Sequence, residues 1–146
     1  MNIGGLFRMA DALGVEKIYL CGNSPTPPSK KINRTARSTV RYVSHEYCEN
    51  ALEIVARLKT NGYKIVSLEI TKQSLDILDF DVQPEDKICL IIGGENMGVN
   101  QALLNASDVA VHIRMCGNNS SMNVAAAATI AVFEITRRWR ETDGFA

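Results

Sequence analysis

Five apolar residues, Ile88 to Ile92, run without interruption and are followed at once by Gly93, Gly94 and Gly98, with Glu95 inside the loop. A continuous apolar run of this length suits a strand buried on both faces, as in a parallel sheet. Glycines at a strand's carboxyl end allow close backbone approach to a ligand, because they lack Cβ and tolerate positive φ. In open α/β sheets ligands sit outside the carboxyl ends of the strands. Gly93 to Gly98 is therefore the first candidate for a site.

A chain of 146 residues is expected to form one domain with a proper core. With 16 basic and 16 acidic residues the formal net charge is zero, so nucleic-acid binding would need a local basic face. No apolar run reaches the roughly 18 residues of a membrane span, and the amino end carries no secretory signal pattern. The four cysteines, Cys21, Cys48, Cys89 and Cys116, form no Cys-x-x-Cys pair. They read as reduced thiols in a cytoplasmic protein, with disulfide and zinc readings as rivals, and no metal is expected.

Asn2 to Leu13 places Ile3, Leu6, Phe7, Ala10 and Leu13 at helical spacing, with Gly14 positioned to end the helix and Arg8 upon it. Glu16 to Cys21 reads as a strand. Gly22 to Arg41 is a long polar connection rich in proline and basic residues, with a short helical piece near Asn33 to Ser38. Ser44 is expected to cap a helix that runs to Thr60 and stops at Asn61-Gly62. Lys64 to Ile70 is a strand, Ser74 to Leu78 a weak element, and Pro84 to Asp86 a turn into the central strand. Asn100 to Asn105 is a short helix, Asp108 to Ile113 a strand, and Met122 to Arg140 the longest helix. Arg137, Arg138 and Arg140 suit its dipole as surface charge. Alternating strands and helices predict a mainly parallel α/β sheet flanked by helices.

Taken singly, the polar segments are weak signals. Gly93 to Gly98 matches neither the phosphate loop nor the dinucleotide fingerprint, and a plain strand-to-helix turn would also explain it. Ser120 to Asn123 could do no more than cap the last helix. His45 and His112 lack a partner pattern and read as structural.

Together and in this order, three segments resemble one family, the SpoU or TrmH-like branch of the SPOUT RNA methyltransferases. The first is Asn2-Ile-Gly-Gly-Leu-Phe-Arg8-Met-Ala-Asp-Ala-Leu-Gly14, which matches the form Asn-x-Gly-x-x-x-Arg. The second is Gly93-Gly-Glu95-Asn-Met-Gly98 after its apolar strand. The third is Ile113-Arg-Met115-Cys-Gly117-Asn-Asn-Ser-Ser121-Met-Asn123, followed by Val124 and four alanines. The likeness spans essentially the whole chain.

The resemblance implies a 2′-O-methyltransferase that moves a methyl group from S-adenosylmethionine (SAM) to a ribose hydroxyl of tRNA or rRNA. It implies an α/β fold with a carboxyl-terminal deep trefoil knot, an exception to the rule against threaded chains. Gly93, Gly94, Gly98, Ile113, Met115 and Met122, with Leu68 and Glu69 from the preceding strand end, would line the cofactor pocket. It also implies a homodimer in which Arg8 acts near the cofactor of the neighbouring subunit. The alanine run from Val124 to Ala131 would permit close packing there, or would bury the helix against its own sheet. Arg8 would act as the base or as the group that activates the hydroxyl. Because an arginine essentially never deprotonates, electrostatic support of an alkoxide asks less of it. Asn2 and Glu95 would position Arg8 and the ribose, while Ser121 and Asn123 would order the site. The rival for Glu95 is a solvated loop charge.

Lys30, Lys31, Arg34, Arg37 and Arg41 fit a track for RNA phosphates, with a merely solvated loop as the rival. Two departures stand out. The resemblance implies a strand before the first motif, where this sequence has only Met1, so either translation begins further upstream or the expected sheet is one strand short, with Asn2 and Arg8 weakly anchored. Arg114 stands for the usual proline and Met122 for the usual leucine; the first adds charge near the cofactor and the second conserves volume. Two other classes compete: a non-catalytic RNA-binding member of the same fold, and an α/β nucleotide-binding enzyme that uses Gly93 to Gly98 as a phosphate loop.

Overall fold

The computed structural model describes residues 2–142, apart from the side chains of Arg138 and Thr142. The expectations for Met1 and for the Arg138 charge lie outside the described residues. Helix α1 (Ile3–Leu13) buries Ile3, Gly4, Leu6, Phe7 and Ala10, the face that its apolar spacing predicts. Asn2 caps it by accepting the Gly5 amide at 2.8 Å. Gly14 closes it in the left-handed region, at φ 70°, and its N–H reaches the carbonyls of Ala10 and Asp11.

Strand β1 (Lys17–Cys21) is followed by helix α2 (Lys30–Ala36), a short 3-10 turn at Thr39–Arg41, and strand β2 (Ser44–Cys48). Here the expected helix from Ser44 is corrected. Ser44 to Cys48 pairs in parallel with β1, Lys17 opposite Ser44 and Cys21 opposite Cys48. Helix α3 (Ala51–Thr60) begins only after this strand, capped by Asn50, whose side chain accepts the Leu52 amide at 3.0 Å. Local sequence allowed either start; the neighbouring strand decided between them.

Strands β3 (Tyr63–Leu68), β4 (Leu75–Asp76), β5 (Lys87–Ile92) and β6 (Val109–His112) form a sheet in the order β4-β6-β3-β5, parallel throughout. The strands therefore form two parallel sheets, not one. β1 and β5 exchange no ladder hydrogen bonds but meet through side chains on both faces. Ile18, Leu20 and Ile92 share one apolar cluster with α1. Tyr19, Cys21, Cys89 and Ile91 share another with α3.

This arrangement also corrects the reading of Ile88 to Ile92 as doubly buried. Among the described residues β5 pairs only with β3, and all five residues are half-buried, whereas Ile65 and Val66 on the central β3 are fully buried. A strand gains full burial only with neighbours at both edges, which no local pattern guarantees.

Helix α4 (Gln101–Ala106) is capped by Asn100, and helix α5 (Val124–Thr142) is the last described element. Ala125 and Ala128 of α5 pack beside Phe7 and Leu6, while Ala131 and Ile135 pack beside Val66, Val111 and Ile77. Ala128 and Ala131 are buried within the chain itself, so α5 uses its alanines to lie close to both α1 and the sheet. A fully buried side chain such as Phe7 contributes about 1.5–3 kcal/mol by burial alone, and Ile3, Leu6 and Ala10 add to it in holding α1 in place.

Candidate active site

The carboxyl ends of β3, β5 and β6 lie level with one another. Leu68 stands opposite Ile92 on one side and Val111 on the other, so Gly93 and Ile113 leave the sheet beside it. The next residue, Glu69, stays at this edge because its amide donates to the Val111 carbonyl at 3.0 Å. One of its carboxylate oxygens accepts the Val99 amide at 2.9 Å, and the other accepts the Ile70 amide at 3.0 Å. Glu69 thus holds the far end of the glycine loop.

The loop folds upon itself. The Gly98 amide donates to the Gly94 carbonyl at 3.0 Å, and Gly98 sits at φ 64°. A Cβ on Gly93 would collide with the backbone of Gly98 and Val99, and one on Gly98 would strike the Glu69 carboxylate. Both positions need glycine for close approach. Gly94 faces open space, and Gly94 to Met97 are exposed, with Met97 89% accessible.

The second loop, between Ile113 and Val124, carries half-buried Met115 and Met122 and exposed Ser121. Asn123 caps α5, its side chain accepting the amides of Ala125 at 2.9 Å and Ala126 at 3.2 Å. Ser74 and His112 meet at 2.9 Å through Oγ and Nδ1, which ties β4 to the start of this loop. Arg114 pairs with Asp76 at 3.2 Å, so the charge that replaces a proline is offset by a carboxylate only 10% exposed. These two ties were not predicted, since no local spacing links residues so far apart.

On the opposite helix pair, Arg8 is exposed on α1. Among the described residues it has no carboxylate partner and no hydrogen bond to either late loop. Helix α2 docks on the start of α1 so closely that a Cβ on Gly4 would overlap the Thr35 side chain. Lys30, Lys31, Arg34, Arg37 and Arg41 are exposed and, among the described residues, meet no carboxylate. By contrast Lys17, Arg57, Lys64, Arg114 and Arg137 each have one. His45 packs edge-on against Phe7 at 5.2 Å, a structural role as read from the sequence.

The structure thus collects Leu68, Glu69, Gly93, Gly94, Gly98 and Ile113 at one sheet edge, leaves Met115 and Met122 half-buried in the loop that follows Ile113, and sets Arg8 with the basic track around α1 and α2. The model of the SpoU rRNA Methylase family matches residues 1–133. The chain belongs to this family.

Among SpoU relatives, a protein of Staphylococcus saprophyticus assigned to the TrmH family of tRNA/rRNA methyltransferases is 25% identical over 137 residues, 94% of this chain and 54% of the relative. A tRNA/rRNA methyltransferase of Borreliella burgdorferi is 26% identical over 137 residues, 94% of this chain and 59% of that protein. The chain therefore spans a little over half the length of these curated relatives. Among solved structures, the SpoU methyltransferase AviRb of Streptomyces viridochromogenes, in complex with the cofactor AdoMet, superposes with a TM-score of 0.86 at 26% identity, over 98% of this chain and 56% of AviRb. The AdoMet-bound rRNA methyltransferase of Sinorhizobium meliloti gives a TM-score of 0.87 at 26% identity, over 94% of this chain and 51% of that one. The SpoU fold, an α/β arrangement of parallel sheets flanked by helices, is thus shared along almost the whole chain. Among the described residues no helix is long and apolar enough to cross a membrane, and no group of three or more His, Cys, Asp or Glu could hold a metal ion.

Proposed function

We propose that residues 1–146 form one SpoU-type domain that transfers a methyl group from SAM to a ribose 2′-hydroxyl of tRNA or rRNA. The observation that carries this reading is the clamped loop: Glu69 closes Gly93 to Gly98 beside a rim of half-buried apolar side chains at the carboxyl edge of the sheet.

The residues present fit SAM. Leu68, Ile113, Met115 and Met122 offer apolar contact for an adenine, and Gly93, Gly94 and Gly98 leave loop backbone bare to donate and accept hydrogen bonds. Bound there, SAM supplies a methyl group carried on a sulfonium. Relatives solved with AdoMet favour a catalytic domain over an RNA-binding module without chemistry.

As its oxygen takes up the methyl group, with the demethylated thioether as leaving group, the ribose 2′-hydroxyl must give up its proton to solvent water. Arg8 stays cationic throughout, so its role is to stabilise the developing alkoxide or to hold the adjacent phosphate. Asn2 fixes the start of the helix that carries it. Glu95, Ser121 and Asn123 order the ribose and the second loop. The two late loops are read as the crossings of a deep trefoil knot.

Within one chain nothing described bonds Arg8 to the late loops, which favours a homodimer whose second copy supplies it. An apolar hollow of about 370 Å³ lies between α1 and α5, lined by Met9, Leu13, Ile77, Leu78, Ile130 and Phe133. Phe133 is 52% and Leu78 68% exposed there, a costly arrangement unless a second copy covers them. Free thiols at all four cysteines fit a cytoplasmic enzyme.

The test is transfer from methyl-labelled SAM into tRNA and rRNA, followed by alkaline hydrolysis. Alkali cleaves RNA through the 2′-hydroxyl, so label in an alkali-resistant dinucleotide supports the reading. Label confined to a base would overturn the ribose assignment.

A further inference from the structure

A concave pocket of about 360 Å³ lies between the Pro27–Pro28 segment and the end of α2, lined by Pro27, Pro28, Asn33, Ser38, Val40 and Arg41. The next residue, Tyr42, is 74% exposed, and its hydroxyl has no hydrogen-bond partner among the described residues. We propose that this pocket and Tyr42 bind one unpaired nucleotide of the RNA, with its base stacked on the tyrosine ring and its phosphate held by Arg41. The inference rests on the RNA reading above and adds to it a site for a nucleotide other than the one methylated.

Charge selects the class of ligand. No acidic residue occurs between Glu16 and Glu46. Lys30, Lys31, Arg34, Arg37 and Arg41 in that stretch all stay clear of carboxylates among the described residues. Lys17, Arg57, Lys64, Arg114 and Arg137 are each paired with a carboxylate, whereas these five clustered cations are left to attract a polyanion. Its chemistry is not that of a bare phosphate site. Two prolines and Val40 give the pocket apolar walls, while Asn33 presents a side-chain amide that makes no hydrogen bond among the described residues. An amide can read a base edge, and aromatic and apolar faces hold a splayed base. A base paired within a duplex could present neither its face nor its full edge there. Arg37 and Ser38 both adopt left-handed backbone, at φ 48° and 74°, in residues that rarely do so. Such conformations gather where a loop is shaped for a ligand. The pocket is also rigidly placed relative to the first motif, because Thr35 of α2 packs against Gly4 of α1.

The test is fluorescence anisotropy of the full chain with a labelled single-stranded oligoribonucleotide and with a blunt RNA duplex, at several salt concentrations. Tyr42→Ala is expected to weaken single-strand binding about tenfold, the order of one lost base–aromatic stack, with the salt slope unchanged. Tyr42→Phe is expected to retain the affinity, and Arg41→Ala to lower the salt slope by about one phosphate contact. Tyr42 is exposed, so loss of fold does not confound the result. Equal binding by the Tyr42→Ala and unchanged chains, or equal preference for the duplex, would overturn the pocket and leave the RNA reading standing. If polyphosphate displaces the oligonucleotide equally well from both chains, the face reads charge alone and the pocket is again overturned. Failure of the unchanged chain to bind any RNA would overturn the RNA reading, and this inference with it.

Discussion

The Glu69 carboxylate accepts the Val99 amide at 2.9 Å, across thirty residues of chain, and so joins the end of β3 to the far side of the glycine loop. Glu69 is therefore a positioning residue in this structure. Both its oxygens are engaged by backbone, and its effect on a ligand runs through the loop. Glu69→Ala leaves the Val99 amide without its charged acceptor, a loss of about 1.5–3 kcal/mol for a bond of this kind. SAM affinity should fall roughly ten- to a hundredfold by calorimetry while the far-ultraviolet circular dichroism is retained. Unaltered affinity would show that the loop does not need this clamp.

Adjacent glycines in the loop should respond oppositely. Gly93→Ala drives a Cβ into the backbone of Gly98 and Val99, where nothing can give way cheaply. It should cost about 1–3 kcal/mol or more in a urea titration. Gly94→Ala meets nothing within 4 Å and should change stability by less than about 0.5 kcal/mol.

If Arg8 serves the cofactor of a second copy, defects in the two halves of the site should complement each other. With SAM kept well below the weakened affinity of Glu69→Ala, Arg8→Ala and Glu69→Ala chains, each nearly inactive alone, should regain up to about a quarter of the unchanged chain's activity when mixed and allowed to exchange subunits, by the statistics of a two-chain composite site. Arg8→Ala alone should bind SAM normally and lose about a hundredfold or more in methyl transfer. Phe133→Glu should yield monomers in sedimentation, because it places a charge on the apolar face of α5.

The thiols should separate by environment. Burial pushes the Cys89 thiol up to about 11, since the thiolate would sit in an apolar cluster, and Cys21 is raised for the same reason. Cys116 is exposed. Alkylation near pH 8, followed by peptide mapping, should mark Cys116 first and leave Cys89 unmodified until the protein unfolds.

Glu46 accepts from Lys17 at 2.9 Å and from Arg57 at 2.8 Å, and these two bonds hold its carboxyl below the ordinary carboxylate range. A carboxyl depressed in the folded state stabilises above its unfolded value, and that contribution is lost as pH falls through the folded value. The Tm deficit of Glu46→Gln should thus be present at neutral pH and shrink on acidification towards about pH 3, the region of carboxylate titration. All three groups are solvated, so the effect should also shrink in high salt.

Much of this architecture is legible locally. The spacing of Ile3, Leu6, Phe7 and Ala10 determines α1 and its buried face, and Gly14 determines its end, because caps and periodicity act within a turn or two. The strand at Ile88 to Ile92, the loop at Gly93 and the long carboxyl-terminal helix are equally plain, and three ordered motifs point to the family. The segment Ser44 to Cys48 is different. Its half-polar sequence is a strand because β1 lies beside it, and a ladder partner is a property of the chain's path. The same path leaves Ile88 to Ile92 half-buried at a sheet edge despite its composition. It also brings Glu69 to Val99, Asp76 to Arg114 and Thr35 to Gly4. The sequence by itself determined α1, the carboxyl-terminal helix and the glycine turns, since these follow from short-range sterics and hydrophobic period. Only the tertiary structure decided which strands have neighbours and which carboxylate closes the loop, because those contacts join residues that no local pattern connects.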